Sequence, residues 1–394
     1  MRKLFCLVIT LTLVASILVS CGTAQPAVAS ATSSSPQETQ PSESEAVEKV
    51  TLTLCSYMPD MRKDYELYDE NMPDIDLEIS IGASDFRQLI KTKVASGDSP
   101  DIYTLWPGQS FVVYYAKNGH LLDLSDREWA QHIVPGVVPT VSYEDKVYAQ
   151  PSKMALVGVI YNKKIWSELN LEIPQTWEEF LDICETLKQN DIIPVGIGGK
   201  TEWAPQFLPL YTLPCNVVYS VNPSFDDQLF EGTANFSDSN YTKCFEMFME
   251  LDEKGYYPPS PLGVTYEQVQ DLMVNDKIAM TIQGSWEVNE LLQKKADMDV
   301  GMFPLPAPEG YTTTVPVGAD LCNVISSTTK NREAALKFLD YMGSQEAYDI
   351  SATLNSNISP LSNIKTNLPP AVQEMLPHTR QRNGRILFWT RCFP

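Results

Sequence analysis

Three tryptophans lie where predicted strands give way to loops. Trp106, Trp203 and Trp286 each come within a few residues of a strand end. In α/β sheets, ligands bind beyond the carboxyl ends of the strands. A Trp ring can place its apolar face against a ligand while polar neighbours bind the ligand's edge. The placement therefore predicts a ring of aromatic side chains around a binding cleft, whereas Trp166 and Trp177 lie in helical patterns that favour packing.

The residues that could act in covalent catalysis or bind a metal do not have the spacing of a known catalytic or metal-binding motif. The sequence has no Gly-x-Ser-x-Gly elbow and no phosphate-binding loop of the Walker type. His120, His132 and His378 are isolated from one another and from the cysteines, and no two cysteines form a C-x-x-C pair. We therefore expect no metal, no cofactor and no nucleophilic triad, while the many carboxylates leave a glycosidase pair open.

The charge balance limits the partners. The 394 residues include 29 basic and 50 acidic side chains, which gives a formal charge of −21. Nucleic-acid binding needs basic patches that neutralise phosphate, and electrostatic docking on anionic lipid needs basic side chains too. We expect neither partner, and the length predicts about two domains.

Residues 1–20 have the pattern of a lipoprotein signal peptide. Arg2 and Lys3 precede an uncharged apolar run that ends in Leu18-Val19-Ser20-Cys21. Cleavage before Cys21 would leave this thiol to receive a lipid such as palmitate, and a short uncleaved anchor is the alternative. Residues 21–46 are rich in Ser, Thr, Pro, Ala, Gln and Glu, which predicts a disordered tether. The predicted location is the extracytoplasmic face of the cell membrane, with the lipid as the only membrane contact.

The remaining cysteines carry no evident chemistry. Cys6 lies in the predicted signal peptide, and Cys184 and Cys244 lie in helical patterns that predict small buried side chains. One disulfide in the folded body stays open, because the sequence identifies no pair. The body contains Cys55, Cys184, Cys215, Cys244, Cys322 and Cys392.

From about residue 47, strand and helix patterns alternate, which predicts an α/β fold with a largely parallel sheet. Strands are predicted at 50–55, 76–81, 101–105, 192–197, 278–282 and 299–303, and helices at 60–71, 85–95, 163–169, 176–189, 238–254, 266–274 and 331–341. The apolar stretch at 147–161 predicts two short strands around Pro151.

Local patterns also predict a helix cap and core positions. Thr176 and Glu179 have the spacing of a capping box. The buried face of the helix at 85–95 is predicted to include Leu89, with Phe86, Ile90 and Val94. In the helix at 238–254, the candidate core residues are Phe245, Phe248, Met249 and Leu251.

Five passages between residues 50 and 360 have a recognisable order and spacing. They are Asp101-Ile102-Tyr103 with Trp106; Lys146–Pro151 with Tyr161-Asn162-Lys163-Lys164; Pro174-Gln175-Thr176-Trp177-Glu178-Glu179-Phe180; Asn275–Met280 with Gly284-Ser285-Trp286; and Gly301–Pro306 with Gly318-Ala319-Asp320. Together they resemble the family 1, sugar-binding extracellular solute-binding lipoproteins of bacterial ABC importers. Asp276 stands where that family usually has Gly.

The resemblance implies an α/β, two-lobed fold of the periplasmic-binding-protein type (type II), with a hinge and an interlobe cleft. Residues 47–157 plus 319–356 would form lobe 1, and residues 158–318 plus 357–394 would form lobe 2. A sugar or oligosaccharide would favour the closed state by contacting both lobes. The closed form, expected to be a monomer, would then dock on the permease subunits of the importer, and no reaction is implied.

The family's binding residues map onto this chain by motif. Trp203 and Trp286 match lobe 2 aromatics that stack on sugar rings, and Glu202 and Asp320 would accept hydrogen bonds from hydroxyl groups. Tyr57 and Trp106 are the lobe 1 candidates. The charges of Asp85 and Lys153 are weaker candidates that also fit an ordinary surface.

Three other functions stay open at this point. The chain fits an anchored extracellular hydrolase or lyase that acts on glycans, a binding protein for a solute other than sugar, or a sensory subunit. It also stops at 388–394, where the family usually has further helices of lobe 2. A natural variant and a truncated reading frame are the two interpretations of this end.

Overall fold

A computed structural model describes residues 49–57, 62–82, 86–238, 240–355 and 358–379. The predicted signal peptide, Cys21, the predicted tether, Asp85 and residues 380–394 lie outside the described residues. Within those ranges, every helix is too short or too polar to cross a bilayer.

Most of the described strands join one curled mixed sheet, in the order β2-β1-β3-β10-β6-β8-β7, with β9 paired to β6. β4 and β5 form a separate hairpin. The strands are β1 Val50–Ser56, β2 Ile75–Ile81, β3 Ile102–Leu105, β4 Ser142–Tyr143, β5 Lys146–Val147, β6 Gln150–Asn162, β7 Ile193–Gly196, β8 Ile278–Gly284, β9 Val300–Phe303 and β10 Val317–Ile325.

Helices cover the sheet on both sides. They are α1 Arg62–Glu70, α2 Phe86–Ser96, α3 Tyr114–Lys117, α4 Val138–Val141, α5 Lys163–Glu168, α6 Trp177–Gln189, α7 Phe225–Phe230, α8 Tyr241–Glu253, α9 Tyr266–Val274, α10 Trp286–Lys294, α11 Arg332–Met342, α12 Gln345–Asn355 and α13 Pro370–Met375. Short 3₁₀ turns lie at Glu128–His132, Ala204–Phe207, Phe236–Asp238, Pro261–Gly263 and Leu376–Thr379, and π-helical turns at Gln109–Val113, Leu208–Thr212 and Cys215–Tyr219.

The sheet is parallel only toward its two ends. β1 pairs in parallel with β2 and β3, and β7 pairs in parallel with β8. The central strands β6 and β10 run antiparallel to each other and to their other neighbours. The α/β prediction is confirmed. The prediction of a largely parallel sheet was wrong, because the central strands pair antiparallel with all their neighbours.

β6 is a single strand of 13 buried residues, so the prediction of two short strands was wrong. Pro151 lies beside a register shift between β6 and β10, and bulges are places where a sheet tolerates a residue without an N–H. The side chains of β6 alternate between two hydrophobic clusters. Met154, Leu156 and Ile160 join one cluster, and Ala155, Val157, Val159 and Tyr161 join the other.

β6 and β10 join the two ends of the sheet, and we call the segment that they share the neck. β3 pairs with β10 as far as Leu105 opposite Cys322, and β8 pairs with β6 as far as Gly284 opposite Val157. Between these levels run residues 151–156 of β6 and residues 317–321 of β10, and Ile358 bridges Met154 beside them. This is the predicted two-lobed architecture. Lobe 1 carries β1–β3, and lobe 2 carries β7–β9.

The capping box at α6 forms only in part. The hydroxyl of Thr176 accepts a hydrogen bond from the backbone N–H of Glu179 at 3.1 Å, as predicted. The carboxylate of Glu179, however, accepts from the backbone N–H of Gln175 at 2.6 Å, one residue before the expected partner. The first bond satisfies an N–H group that a helix start leaves without an intrahelical partner, whereas the second holds the residue before the cap.

Asp276 adopts a left-handed conformation, with φ of 58°. Glycine adopts this region without strain, and Asp is among the few other residues that tolerate it. The carboxylate of Asp276 accepts hydrogen bonds from Asn162 Nδ2 at 2.8 Å and Lys164 Nζ at 2.6 Å. These bonds lower the pKa of Asp276 and stabilise the turn between α9 and β8.

The five described cysteines are all buried and have free thiols. The prediction that Cys184 and Cys244 are small buried side chains is therefore confirmed. Burial raises the pKa of Cys244 to about 12 and raises the pKa of Cys184 further. Cys392 lies outside the described residues.

Two predicted core assignments were wrong. Leu89 on α2 is exposed, and α8 buries Tyr241, Cys244, Met247 and Leu251 rather than Phe245 and Met249, which are nearly half exposed. Apolar residues lie around more than one side of α8, so periodicity leaves the buried face undecided. The hydroxyls of Tyr241 and Tyr219, 2.8 Å apart, fix the orientation.

The two faces of α8 give a matched stability test. We expect Leu251→Ala to lower the free energy of unfolding by about 2–5 kcal/mol, because it leaves a cavity in the core. Phe245→Ala should change it by no more than about 0.5 kcal/mol. Urea denaturation followed by circular dichroism measures both, and a larger loss in Phe245→Ala would contradict the assigned face.

Candidate functional site

Tyr57 and Trp106 form the aromatic group of lobe 1. Each follows the end of a strand, Tyr57 after β1 and Trp106 after β3, and these strands are parallel neighbours. The two rings lie 4.9 Å apart, and the guanidinium of Arg87 lies over the Trp106 ring at 4.7 Å. The ring of Phe111 also packs on Trp106, so neighbours from its own lobe already hold this side chain.

Trp203 and Trp286 form a second aromatic group in lobe 2. Both pack on Phe207, with ring centroids 6.0 Å and 5.2 Å away. Trp203 also packs on Tyr266 at 4.6 Å. We call Trp203, Phe207, Tyr266 and Trp286 the lobe 2 platform. Because the two tryptophans are partly exposed, the platform combines a packed base with accessible ring surface.

Close backbone contacts shape the platform. A side chain at Gly284 would overlap the Trp286 ring, which folds back over the end of β8. Gly198 similarly approaches the backbone of Tyr266, whose N–H donates to Thr201 Oγ1 at 3.0 Å. The side chain of Gln283 donates to the backbone carbonyl of Ala204 at 2.9 Å, which ties the turn after Trp203 to β8.

Asp320 and Lys153 form a buried ion pair in the neck. Asp320 is the extra residue of a bulge in β10, between the pairs Ala319–Met154 and Leu321–Lys153. Its carboxylate lies 3.4 Å from Lys153 Nζ, and the side chains are 16% and 5% exposed. Bulges redirect side chains next to functional sites. Here the bulge directs a carboxylate into an ion pair, so Asp320 would offer a ligand only its remaining lone pairs.

The predicted site residues therefore fall into three places. Tyr57 joins Trp106 in lobe 1, Trp203 joins Trp286 in lobe 2, and Asp320 lies in the neck. Trp106 follows the last residue of β3, and Trp286 lies two residues after the last of β8. The two tryptophans therefore follow strands that end at opposite ends of the neck. Glu202 is exposed beside Trp203. Contact of these six residues with a ligand stays a prediction.

The sequence analysis missed three buried residues in and beneath the platform. They are Phe207, Tyr266 and Glu287. The Tyr266 hydroxyl makes a short hydrogen bond with Glu287 Oε2 and donates to Glu290 Oε2 at 2.8 Å. Periodicity marks Tyr266 only as a core position at the start of a helix, so no sequence signal distinguishes it from other buried aromatics.

Glu287 and Glu290 form a carboxyl pair beneath the platform. Gln270 Nε2 donates to Glu287 Oε2 at 3.0 Å and also contacts Glu290 Oε2. Glu287 is fully buried, and this burial together with the charge of Glu290 raises its pKa to about 8. Glu287 is therefore protonated at neutral pH.

A sequence profile described as bacterial extracellular solute-binding protein matches residues 56–349. The multiple sugar-binding protein of Streptococcus mutans is 25% identical over 78% of this chain and 75% of its own length. The melibiose/raffinose/stachyose-binding protein MelE of Bacillus subtilis is 24% identical over 81% of this chain and 76% of its own length.

Solved structures share the fold. The structure of the solute-binding protein RafE in complex with raffinose has a TM-score of 0.74 and 23% identity, covering 87% of this chain and 90% of that one. An open conformation of the binding protein MsmE of Bacillus subtilis has a TM-score of 0.70 and 20% identity, covering 88% and 89%. Both likenesses extend across the two lobes and the neck.

The carboxyl pair predicts a pH-dependent stability. The native state raises the pKa of Glu287 from 4.5 to about 8, so it binds this proton more tightly than the unfolded chain does. The stabilisation from this proton is complete below about pH 4.5 and is lost as pH rises through about 8. In Glu287→Gln, we expect thermal unfolding to show a weaker loss of stability between these pH values. Parallel curves for the two proteins would contradict the assignment.

Proposed function

Because this chain belongs to the bacterial extracellular solute-binding proteins, we propose that it captures a sugar or oligosaccharide between its lobes and delivers it to an ABC importer. The observation that supports this proposal most is an aromatic group in each lobe, which follows strands that end at opposite ends of the neck. The names of MelE and the S. mutans relative, which state sugar binding, support the same ligand class.

Binding would work by closure about the neck. A sugar that stacks on the lobe 2 platform and also contacts Tyr57 and Trp106 favours the state in which the lobes approach. The neck at residues 151–156 and 317–321, with its two register shifts, suits bending. We propose that the lobes divide near the boundaries predicted above, that the protein acts as a monomer, and that the closed form meets the permease subunits.

The protein would bind its ligand without changing it. The relatives described above are named as binding proteins. Two groups can form hydrogen bonds with sugar hydroxyls. They are Glu202, exposed beside Trp203, and the Asp320–Lys153 pair. The paired charges of Asp320 and Lys153 balance each other, which suits a neutral ligand.

The family is extracytoplasmic, and we propose attachment to the cell membrane through a lipid on Cys21. The support is the apolar run that ends in Leu18-Val19-Ser20-Cys21. We expect Cys21→Ala to move the protein from the membrane fraction to the soluble fraction, because it removes the acceptor thiol. Immunoblots of the two fractions measure this, and continued membrane retention of the variant would contradict the lipid anchor.

The platform tryptophans should determine sugar affinity. A buried aromatic face contributes ~1.5–3 kcal/mol, so we expect Trp203→Ala and Trp286→Ala each to raise the Kd for raffinose roughly 10–100-fold. Isothermal titration calorimetry of the purified protein measures the affinity. Phe245→Ala, which removes an exposed aromatic ring of α8, is the matched control and should bind like the wild type.

Two results would oppose this proposal. Unchanged affinity in both tryptophan variants would reject the platform as the binding surface. Release of monosaccharides from raffinose, detected by chromatography after incubation, would favour the hydrolase instead. A thermal-shift screen with mono- and oligosaccharides extends the test, since a ligand at 100 times its Kd stabilises a protein by about 2.7 kcal/mol.

A further inference from the structure

The two tryptophans of the lobe 2 platform are connected by two sets of contacts, one through aromatic rings and one through a buried carboxyl group. Trp203 packs on Tyr266, and the Tyr266 hydroxyl bonds Glu287. Glu287 follows Trp286 directly at the start of α10. Trp286 and Trp203 both pack on Phe207, which is the second connection between them. The position of one ring therefore depends on the other through two routes, one aromatic and one polar.

The polar route contains a second carboxyl group. Glu290 lies one turn after Glu287 on α10, and its Oε2 meets the same two donors, Tyr266 of α9 and Gln270 of α9. Glu287 Oε2 and Glu290 Oε2 both lie within hydrogen-bond distance of the Tyr266 hydroxyl and of Gln270 Nε2, so the two oxygens lie close together. The Tyr266 hydroxyl has one proton and donates to only one of them. Two negative charges at such a spacing repel each other, so the arrangement requires one proton between them.

Burial selects Glu287 as the member that holds this proton. Its side chain is fully buried, and its Oε1 has no hydrogen-bond partner among the described residues. A charged carboxylate with an unpartnered oxygen would be costly there. Glu290 is only partly buried, so it can carry the negative charge.

We infer that Glu287 and Glu290 are positioning residues for sugar binding: their shared proton fastens α10 to α9 and holds Trp286 and Trp203 at a fixed spacing. This inference rests on the proposed function. Loss of the proton places a second charge in the pair, separates the helices at this point and releases Tyr266 from beneath Trp203. Sugar affinity then falls at alkaline pH without any change in the residues that touch the sugar.

Two lysines lie on the elements around the pair, and each also has a carboxylate partner. The charge of Lys294 opposes the rise in the pKa of Glu287. Lys294 of α10 bonds Asp271 of α9 at 2.6 Å, and Lys153 of β6 pairs with Asp320. β8 carries no charged residue between 278 and 284. The remaining charged side chains on the elements and the loop around α10 are Glu267 of α9, Glu346 and Asp349 of α12, and the exposed Lys200 and Glu202.

The test compares wild type with Glu287→Gln, in which an amide replaces the protonated carboxyl group, and with Glu290→Gln. Glu267→Gln removes an exposed carboxylate from α9 and is the matched control. Near-UV circular dichroism of the ligand-free proteins reports the tryptophan environment between about pH 6 and 9, below the range where ordinary tyrosines ionise. Calorimetry with raffinose gives the Kd at both ends of that range.

We expect the near-UV signal of wild type and Glu267→Gln to change with a midpoint near pH 8, and their Kd to rise about tenfold by pH 9. Glu287→Gln should show a flat signal and a nearly constant Kd, because it has no proton to lose at this position. Glu290→Gln should keep a transition but move its midpoint below that of wild type, because Glu287 then ionises without a neighbouring negative charge. A merely structural role would weaken binding in these variants equally at every pH.

Two outcomes separate this inference from the proposed function. If raffinose fails to bind any protein while the near-UV transition occurs in wild type and is absent from Glu287→Gln, the positioning role holds and the ligand assignment fails. If raffinose binds but wild type and both Gln variants share one pH profile, the inference is overturned and the proposed function stands. If Glu287→Gln does not fold, Glu290→Gln decides by the same two measurements: a midpoint lower than that of wild type supports the inference, and an unchanged midpoint overturns it.

Discussion

The alternation of side chains along β6 is the constraint on which both lobes depend. A shift of the β6 pairing by one residue would turn every side chain of the strand to the opposite face of the sheet. Met154 and Leu156 would then leave their hydrophobic cluster, and Ala155 and Val157 would leave the other. β10 pairs with the first half of this strand, and β8 and β9 pair with the second half. The register of β6 therefore sets where β3 and β8 end, and with them the positions of Trp106 and Trp286.

The site combines a rigid base with an irregular middle. Aromatic rings and hydrogen bonds fix the lobe 2 platform to α9 and α10, whereas the neck contains two compensating extra residues, Asp320 on β10 and Ser152 on β6. The Ser152 hydroxyl donates to the carbonyl of Leu321 at 3.0 Å, which satisfies a polar group at the irregularity. The platform is therefore held in one shape by its contacts. The hydrogen-bond pattern between β6 and β10 is interrupted only in the neck that separates the two aromatic groups.

Periodicity and caps predicted most elements, and the helix at 266–274 agrees with the structure at both ends. They did not decide between two apolar sides of α8, since Phe245 and Leu251 are equally hydrophobic in sequence and differ only in what surrounds them. The tryptophans could be found because each follows a strand. The pairing of Lys153 with Asp320 and of Tyr266 with Glu287 joins residues far apart in the chain, and only the sheet register and helix packing bring these groups together.

Five buried thiols have a consequence for how this extracytoplasmic protein reaches its native state. The thiolate is the form that oxidises, and burial raises the pKa of Cys184, Cys215 and Cys322 well above the ordinary value. Once folded, these residues are inert in an oxidising environment. Before the core closes, each is an accessible thiol, and disulfides form within seconds to hours. The vulnerable period is therefore the interval between export and completion of the core, so the speed of folding, rather than the stability of the finished fold, protects these cysteines from incorrect disulfides.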